Sequence, residues 1–374
     1  MIIDSVILHR LNMQLKAPFQ TSFGTVKEKD FYLVEVVDED GFRGFGETSA
    51  FSTPWYTEET TATVKVMLEQ ILIPKLLAAR IEHPDDVTLL FQPVKRNFMA
   101  KAAIEGAVWD LYAKRNGLTL AQALGGKKRT IDVGISLGME ETTTALLKKI
   151  EQYVSEGYKR VKVKVKPGKD IDVLKAIRKH FPQIPLMVDA NSAYTLKDIE
   201  LLKKFDDFAL LMIEQPLSDD DIAMHAELQK ELETPICLDE SIYSMADVKL
   251  AVQLKSCKII NIKASRVGGL TNAKKMHDYC KEKGIAVWVG GMLDSGVGRA
   301  HHIALATLEN FSLPGDIGGS GRYWHEDIIA PEVVVCRGEI NVSDSPGIGY
   351  EIDWEKVKKH RVSKEVFQRK RKTT

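Results

Sequence analysis

The chain has 374 residues, with 52 Lys plus Arg balanced by 52 Asp plus Glu, so its formal net charge is zero. Hydrophobic residues are 44% and charged residues 28%, the balance of a soluble globular protein; no basic or acidic excess calls for nucleic acid or an anionic membrane as partner. The length fits about two domains. Four scattered cysteines, Cys237, Cys257, Cys280 and Cys336, fit a reduced, cytoplasmic protein rather than a disulfide framework. The N-terminus lacks the basic-then-apolar order of a secretory signal, and no apolar run reaches the roughly 18 residues of a transmembrane helix.

In chain order, residues 1 to about 48 read as antiparallel β-structure. Ile2–Leu8 is apolar-rich, Phe31–Val37 is β-branched and aromatic, and Asp40-Gly41 makes a hairpin turn before Phe42–Glu47. A helix is expected from Thr57-Glu58-Glu59-Thr60, with Val64, Met67, Leu68, Ile71 and Leu72 on one face. The small residues of Met99–Lys114 predict a helix packed closely on a neighbour. Residues 1–125 thus form an α+β capping domain, and Gly125-Gly126 marks its end. From 126 to about 320 the rhythm alternates. Strands are expected at Ile131–Leu137, Arg160–Val165, Leu186–Asp189, Leu210–Glu214, Ile236–Asp239, Lys258–Lys263 and Ala286–Val289. Helices are expected at Glu141–Glu156, Asp170–His180, Thr195–Phe205, Asp219–Leu232, Met245–Leu254 and Thr271–Lys283. A helix near Gly298–Glu309 and a short strand near Leu313–Asp316 would close the ring, giving an α/β fold, a modified TIM barrel of (β/α)7β type. Residues 321–374 leave this rhythm and are expected to return to the capping domain, with the basic run Lys364–Lys372 as a solvated tail.

Five charged residues close successive strand candidates: Lys164, Asp189, Glu214, Asp239 and Lys263, spaced 25, 25, 25 and 24 residues apart. Charged groups at successive strand ends converge on one face of a β/α barrel, where such barrels do chemistry. Three carboxylates there would repel one another and raise their own pKa values. A hard divalent cation removes the conflict, and an all-oxygen set without His or Cys favours Mg²⁺ over Zn²⁺, with Mn²⁺ as a substitute. Lys164 is the candidate general base. Lys162, on the same side of its strand, is the candidate tuner and substrate contact. Lys263 would face Lys164 across the substrate. Asn191 and Glu240 either orient a ligand or a lysine, or cap the next helix. Gly290-Gly291-Met292 and Gly296-Val297-Gly298 allow close backbone approach, so their amides are candidates to hold a substrate carboxylate. Ser136, Gly291 and Met292 are candidate substrate contacts, as are Phe19, Phe23 and Tyr56 from two aromatic loops, 19–24 and 50–56. Gly44-Phe45-Gly46 lies in a hairpin region and is no dinucleotide fingerprint.

Lys162 with Lys164, MVDANSAY, IEQP, CLDES and NIKASRVGG together resemble the muconate-lactonising subgroup of the enolase superfamily. APFQTSFG, AFSTPWYTEET, MAKAAIEGAVWDLYAK and GGMLDSGVGRAH extend the similarity, over nearly the whole chain, to the o-succinylbenzoate synthase/N-acylamino-acid racemase family. The resemblance implies Mg²⁺-dependent removal of the proton α to a carboxylate through an enediolate. Two outcomes are open. One is dehydration to o-succinylbenzoate on the route to menaquinone; the other is racemisation of N-succinylamino acids, which needs a base on each face. The substrate is then a small-molecule carboxylate and the enzyme a homo-oligomer. A Schiff-base aldolase and a non-catalytic barrel scaffold are the alternatives from other classes.

Overall fold

The computed structural model describes residues 1–20 and 25–370. Its N-terminal layer is a four-stranded antiparallel sheet in the order Arg361–Gln368, Ile3–Gln20, Thr25–Asp38, Arg43–Glu47. The first two strands outrun their apolar centres because they pair with each other from Ile3↔Asp38 to Gln20↔Thr25. Gly41 (φ +85°) supplies the left-handed residue of the expected hairpin turn. Gly44 and Gly46 earn their place sterically. A Cβ on either would come within 2.1 or 2.0 Å of the carbonyl oxygens of Ala107 and Ala103 on the helix Phe98–Arg115. The helix expected after Thr60 starts there with a capping box to Thr63, then runs as Thr61–Met67, a π turn Leu68–Leu72, and Ile73–Ala78.

The second layer is a curled sheet of seven parallel strands, each bonded to the next in sequence: Ile135–Leu137, Val161–Lys164, Leu186–Asp189, Ile213–Glu214, Ile236–Leu238, Ile259–Ile262 and Ala286–Val289. Between them run the helices Thr143–Ser155, Ile171–His180, Ile222–Glu231, Met245–Leu254 and Leu270–Glu282, and Gly296–Ala306 follows the last strand. This is the modified TIM barrel that the rhythm predicts, with three differences.

The segment 313–316 is no regular strand. Pro314 has no N–H to donate, so the ring closes through single parallel bridges, Phe311 to Val287 and Gly315 to Val133, and the Asp316 amide donates to Val289 O at 3.0 Å. The expected strand Ile131–Leu137 divides at Gly134, which lies against the Arg160 guanidinium; Thr130–Asp132 leaves the barrel to pair with Glu339–Asn341. The expected helix Thr195–Phe205 breaks into a 3₁₀ turn Leu196–Asp198, one α turn Ile199–Leu202 and a 3₁₀ turn Lys203–Phe208. Phe205 and Phe208 are both buried, and their i, i+3 spacing suits the tighter helix.

The chain after 320 contacts both layers: Glu339–Asn341 packs beside the barrel, and Arg361–Gln368 pairs with Ile3–Gln20. The basic run is therefore not a solvated tail up to Gln368; it is an edge strand whose exposed lysine and valines alternate with half-buried residues. No helix among the described residues is long and apolar enough to cross a membrane.

The period-2 alternation of the barrel strands decides where chemistry can sit. One inward layer is apolar, formed by Met187, Met212, Cys237, Ile259 and Trp288. Two residues further along the same five strands stand Asp189, Glu214, Asp239, Asn261 and Gly290.

Candidate active site

That second layer opens into a cavity of about 240 Å³ at the C-terminal ends of the strands. Lys162, Lys164, Asp189, Asn191, Asp239, Glu240, Lys263, Ser136, Gly291 and Met292 all line it, with Phe19 and Tyr56 from the capping layer. Glu214 is fully buried beneath it, and Phe23 lies outside the described residues. Phe51, Trp55, Leu293 and Tyr323 complete an apolar wall.

The backbone register sets the charges side by side: Lys164 pairs with Asp189, and Asp189 with Glu214. On one flank Lys164 Nζ donates to Asp189 Oδ2 at 2.9 Å and to Asn191 Oδ1. Asn191 Nδ2 in turn donates to Glu240 Oε1 at 2.8 Å. Asn191 thus links Lys164 to Glu240, and the N-caps of the helical segments that follow are Thr195 and Ser244 instead. On the other flank Lys263 Nζ donates to Asp239 Oδ2 at 2.7 Å and to the Tyr56 hydroxyl at 2.9 Å. Arg266 reaches the other Asp239 oxygen and also donates to Tyr56, at 2.8 Å. Gly290 makes this possible, because a Cβ there would come within 2.7 Å of Lys263 Cε.

Lys162 sits between three carboxylates, 2.6 Å from Asp316 Oδ2, 3.0 Å from Glu214 Oε2 and 3.6 Å from Asp189 Oδ2. Burial disfavours its charge, yet Asp316, Glu214 and Asp189 outweigh burial and hold it protonated well above the usual lysine range. Lys263 behaves alike: burial pulls its pKa down, Asp239 pulls it further up, and the ammonium persists. The acids divide. Burial works against Asp239 and Asp189, but their cationic neighbours keep both below the usual carboxylate range. Glu214 is pushed up to about 8, because burial and the charges of Asp189 and Asp239 outweigh Lys162. Glu240 is pushed up to about 7 by burial and Asp239.

Among the described residues, no three His, Cys, Asp or Glu side chains converge into a ready-made metal cage; the acidic oxygens face ammonium and guanidinium groups. The amides of Gly296 and Gly298 are not open to a substrate carboxylate. Glu47 of the capping sheet accepts from Ser295 N and Gly298 N, and Asp327 from Gly296 N.

Four polar residues of the site escape the ladder pattern: Asn261, Arg266, Asp316 and Arg160. Asn261 donates to Glu214 Oε1 at 2.8 Å. As a polar residue at an inward position of an apolar strand, two before Lys263, it carried a readable signal. Arg160 lies over the Trp288 ring, 4.8 Å from its centroid, and holds Asp316 on the bridging segment; no local pattern announces that long-range pair.

Comparison with known proteins places this geometry. The N-terminal domain of mandelate racemase / muconate lactonizing enzyme matches residues 3–125, and the enolase C-terminal domain-like family matches residues 145–357. An o-succinylbenzoate synthase from Geobacillus stearothermophilus is 57% identical over 98% of both chains. An N-succinylamino acid racemase from Thermus thermophilus is 41% identical over 93% of this chain and 94% of its own. A solved enolase-superfamily member from Listeria innocua superposes with a TM-score of 0.97 at 44% identity, covering 99% of this chain and 100% of its own. With both domains matched in order around a lysine- and carboxylate-lined barrel mouth, this chain belongs to the mandelate racemase/muconate lactonizing enzyme family of the enolase superfamily.

Proposed function

We propose that this chain is an o-succinylbenzoate synthase that removes the proton α to a substrate carboxylate with Lys164. The observation that carries this reading is the placement of Lys164 and Lys263 on opposite flanks of one cavity, with Lys263 clamped as a cation by Asp239. The synthase is ranked above the racemase because the relative bearing that name is 57% identical, against 41% for the racemase.

The donor set fits a hard divalent cation. It is all oxygen, it comes from adjacent strand ends, and Glu214 at about 8 is a carboxylate short of positive charge. Asp189, Glu214 and Asp239 would hold Mg²⁺, which supplies positive charge to the substrate carboxylate as electrons accumulate there.

Lys164, once neutral, takes the α-proton. The electron pair moves toward the carboxylate oxygens, where the Lys263 ammonium stabilises the charge. The C–O bond to the β-hydroxyl then breaks, the ring becomes aromatic, and the Lys164 ammonium returns its proton to the departing hydroxide as water. Phe19, Trp55, Tyr56 and Met292 keep bulk water from the charged intermediate. In the second reading, which the lysine on each flank favours, Lys263 delivers a proton to the opposite face and an N-succinylamino acid is racemised.

The test is a side-by-side assay of the purified chain, following the aromatic product by absorbance and racemisation by optical rotation. The synthase reading expects the larger kcat/KM for dehydration, and loss of both activities on chelation with recovery on adding Mg²⁺. Racemisation at least about tenfold more efficient would replace it with the second reading. Activity that survives chelation would remove the metal from both.

A further inference from the structure

A larger cavity, of about 470 Å³, lies away from the catalytic mouth, in a cleft between the capping layer and the barrel. One wall is the segment Thr88–Lys101 leading into the helix Phe98–Arg115. The other is the start of the helix Met245–Leu254 together with Val267, Gly268 and Asn272. Three cationic side chains line it, Lys95, Arg96 and Lys101. Its acid, Glu105, is already engaged by the amides of Leu270 and Thr271 and by Trp109 Nε1.

The cations lack ion pairs. Lys101 is 9% exposed, and its ammonium donates to the Val94 carbonyl and lies over the Phe98 ring. Among the described residues, neither it nor Lys95 nor Arg96 forms an ion pair. Burial lowers the Lys101 pKa, and the more distant Glu59 charge only partly offsets it. Thr88 Oγ1, in the same wall, is buried without a hydrogen-bond partner. Beside these groups is an apolar surface: Phe98 stacks on Tyr243 with ring centroids 6.5 Å apart, and Arg96 lies over the Tyr243 ring at 5.6 Å.

We propose that this cleft is a second ligand site, for a small organic anion with a flat, apolar body. The anionic group would meet Lys101 and the Thr88 hydroxyl, and the body would lie along Phe98 and Tyr243 under Arg96. The site is tied to the catalytic mouth through two loops. Tyr243 follows Asp239 and Glu240 on one, and Val267 and Gly268 follow Lys263 on the other. This proposal stands on the cleft alone and does not depend on which reaction the mouth performs.

The probe is 4-fluorobenzoate, titrated into the full chain and followed by ¹⁹F line broadening. Saturable binding is expected, weakened at least about tenfold by Lys101→Met, about threefold by Arg96→Ala and less than about twofold by Lys164→Ala in the catalytic cavity. Absence of saturation below about 20 mM overturns the proposal, as does a loss on Lys164→Ala in place of Lys101→Met. Arg96 is exposed, so unchanged binding in Arg96→Ala overturns it even if Lys101→Met fails to fold.

Discussion

The two lysine flanks of the catalytic mouth are built from the same ladder but held differently. The Lys164 side chain keeps 19% of its surface exposed and is held by one carboxylate and one amide, Asp189 and Asn191. The Lys263 side chain is 9% exposed, shares Asp239 with Arg266, and is covered by Tyr56 from the other domain. The lysine with more water access exchanges protons more readily. The one that shares its acid with Arg266 and lies under Tyr56 is the better fixed positive charge, and it moves a proton only in the two-base reaction. The contrast accounts for a site in which dehydration needs one moving proton while racemisation needs two.

The largest effect expected from breaking this contrast is on the open flank. Lys164→Ala should lower dehydration by about a thousandfold, the scale of a lost general base, with folding unchanged by circular dichroism; turnover near the parent rate would reassign the base. Asp316→Asn strikes beneath that flank. It removes an acid that compensates both Lys162 and Arg160, and leaving buried cations short of a partner should cost about 3 kcal/mol, read from chemical denaturation. The closed flank is sensitive through its support. Glu59 accepts from the amides of Met99 and Ala100 and anchors the segment carrying Tyr56. Burial pushes its pKa up to about 7 despite those bonds. A raised carboxyl pKa favours the folded state at low pH, so its contribution is full below about 4.5 and lost as pH rises through about 7. Because Gln mimics the neutral carboxyl, thermal midpoints of the parent and of Glu59→Gln should lie closest at pH 5, and by pH 8 the parent should have lost on the order of 2 kcal/mol that the variant keeps. The smallest effect belongs to Tyr56→Phe. Losing one hydroxyl that accepts from Lys263 and Arg266 is worth about 1 kcal/mol, or roughly fivefold in kcat/KM. That loss should fall on racemisation more than on dehydration.

Much of this was legible in the residues because strand ends repeat. A charged residue closing a short apolar run every 25 positions is a local pattern, and it brought Lys164, Asp189, Asp239 and Lys263 to one cavity. What escaped depends on distance in sequence. Asp316 compensates Lys162 from a bridging segment that Pro314 keeps from being a strand, and Arg266 reaches Asp239 from the turn after its strand. Glu47 closes the helix N-terminus at Gly296–Gly298 from another layer altogether, so amides that looked available are spent. The C-terminal edge strand was hidden because Lys364 and the basic residues after Gln368 suit an exposed sheet edge as well as a tail.

Proton exchange in deuterated water bears most directly on the two flanks. With one enantiomer of an N-succinylamino acid at a time, Lys164→Ala should exchange the α-proton of one enantiomer only, and Lys263→Ala that of the other only. Exchange of both enantiomers by either variant would contradict a base on each face of a single α-carbon.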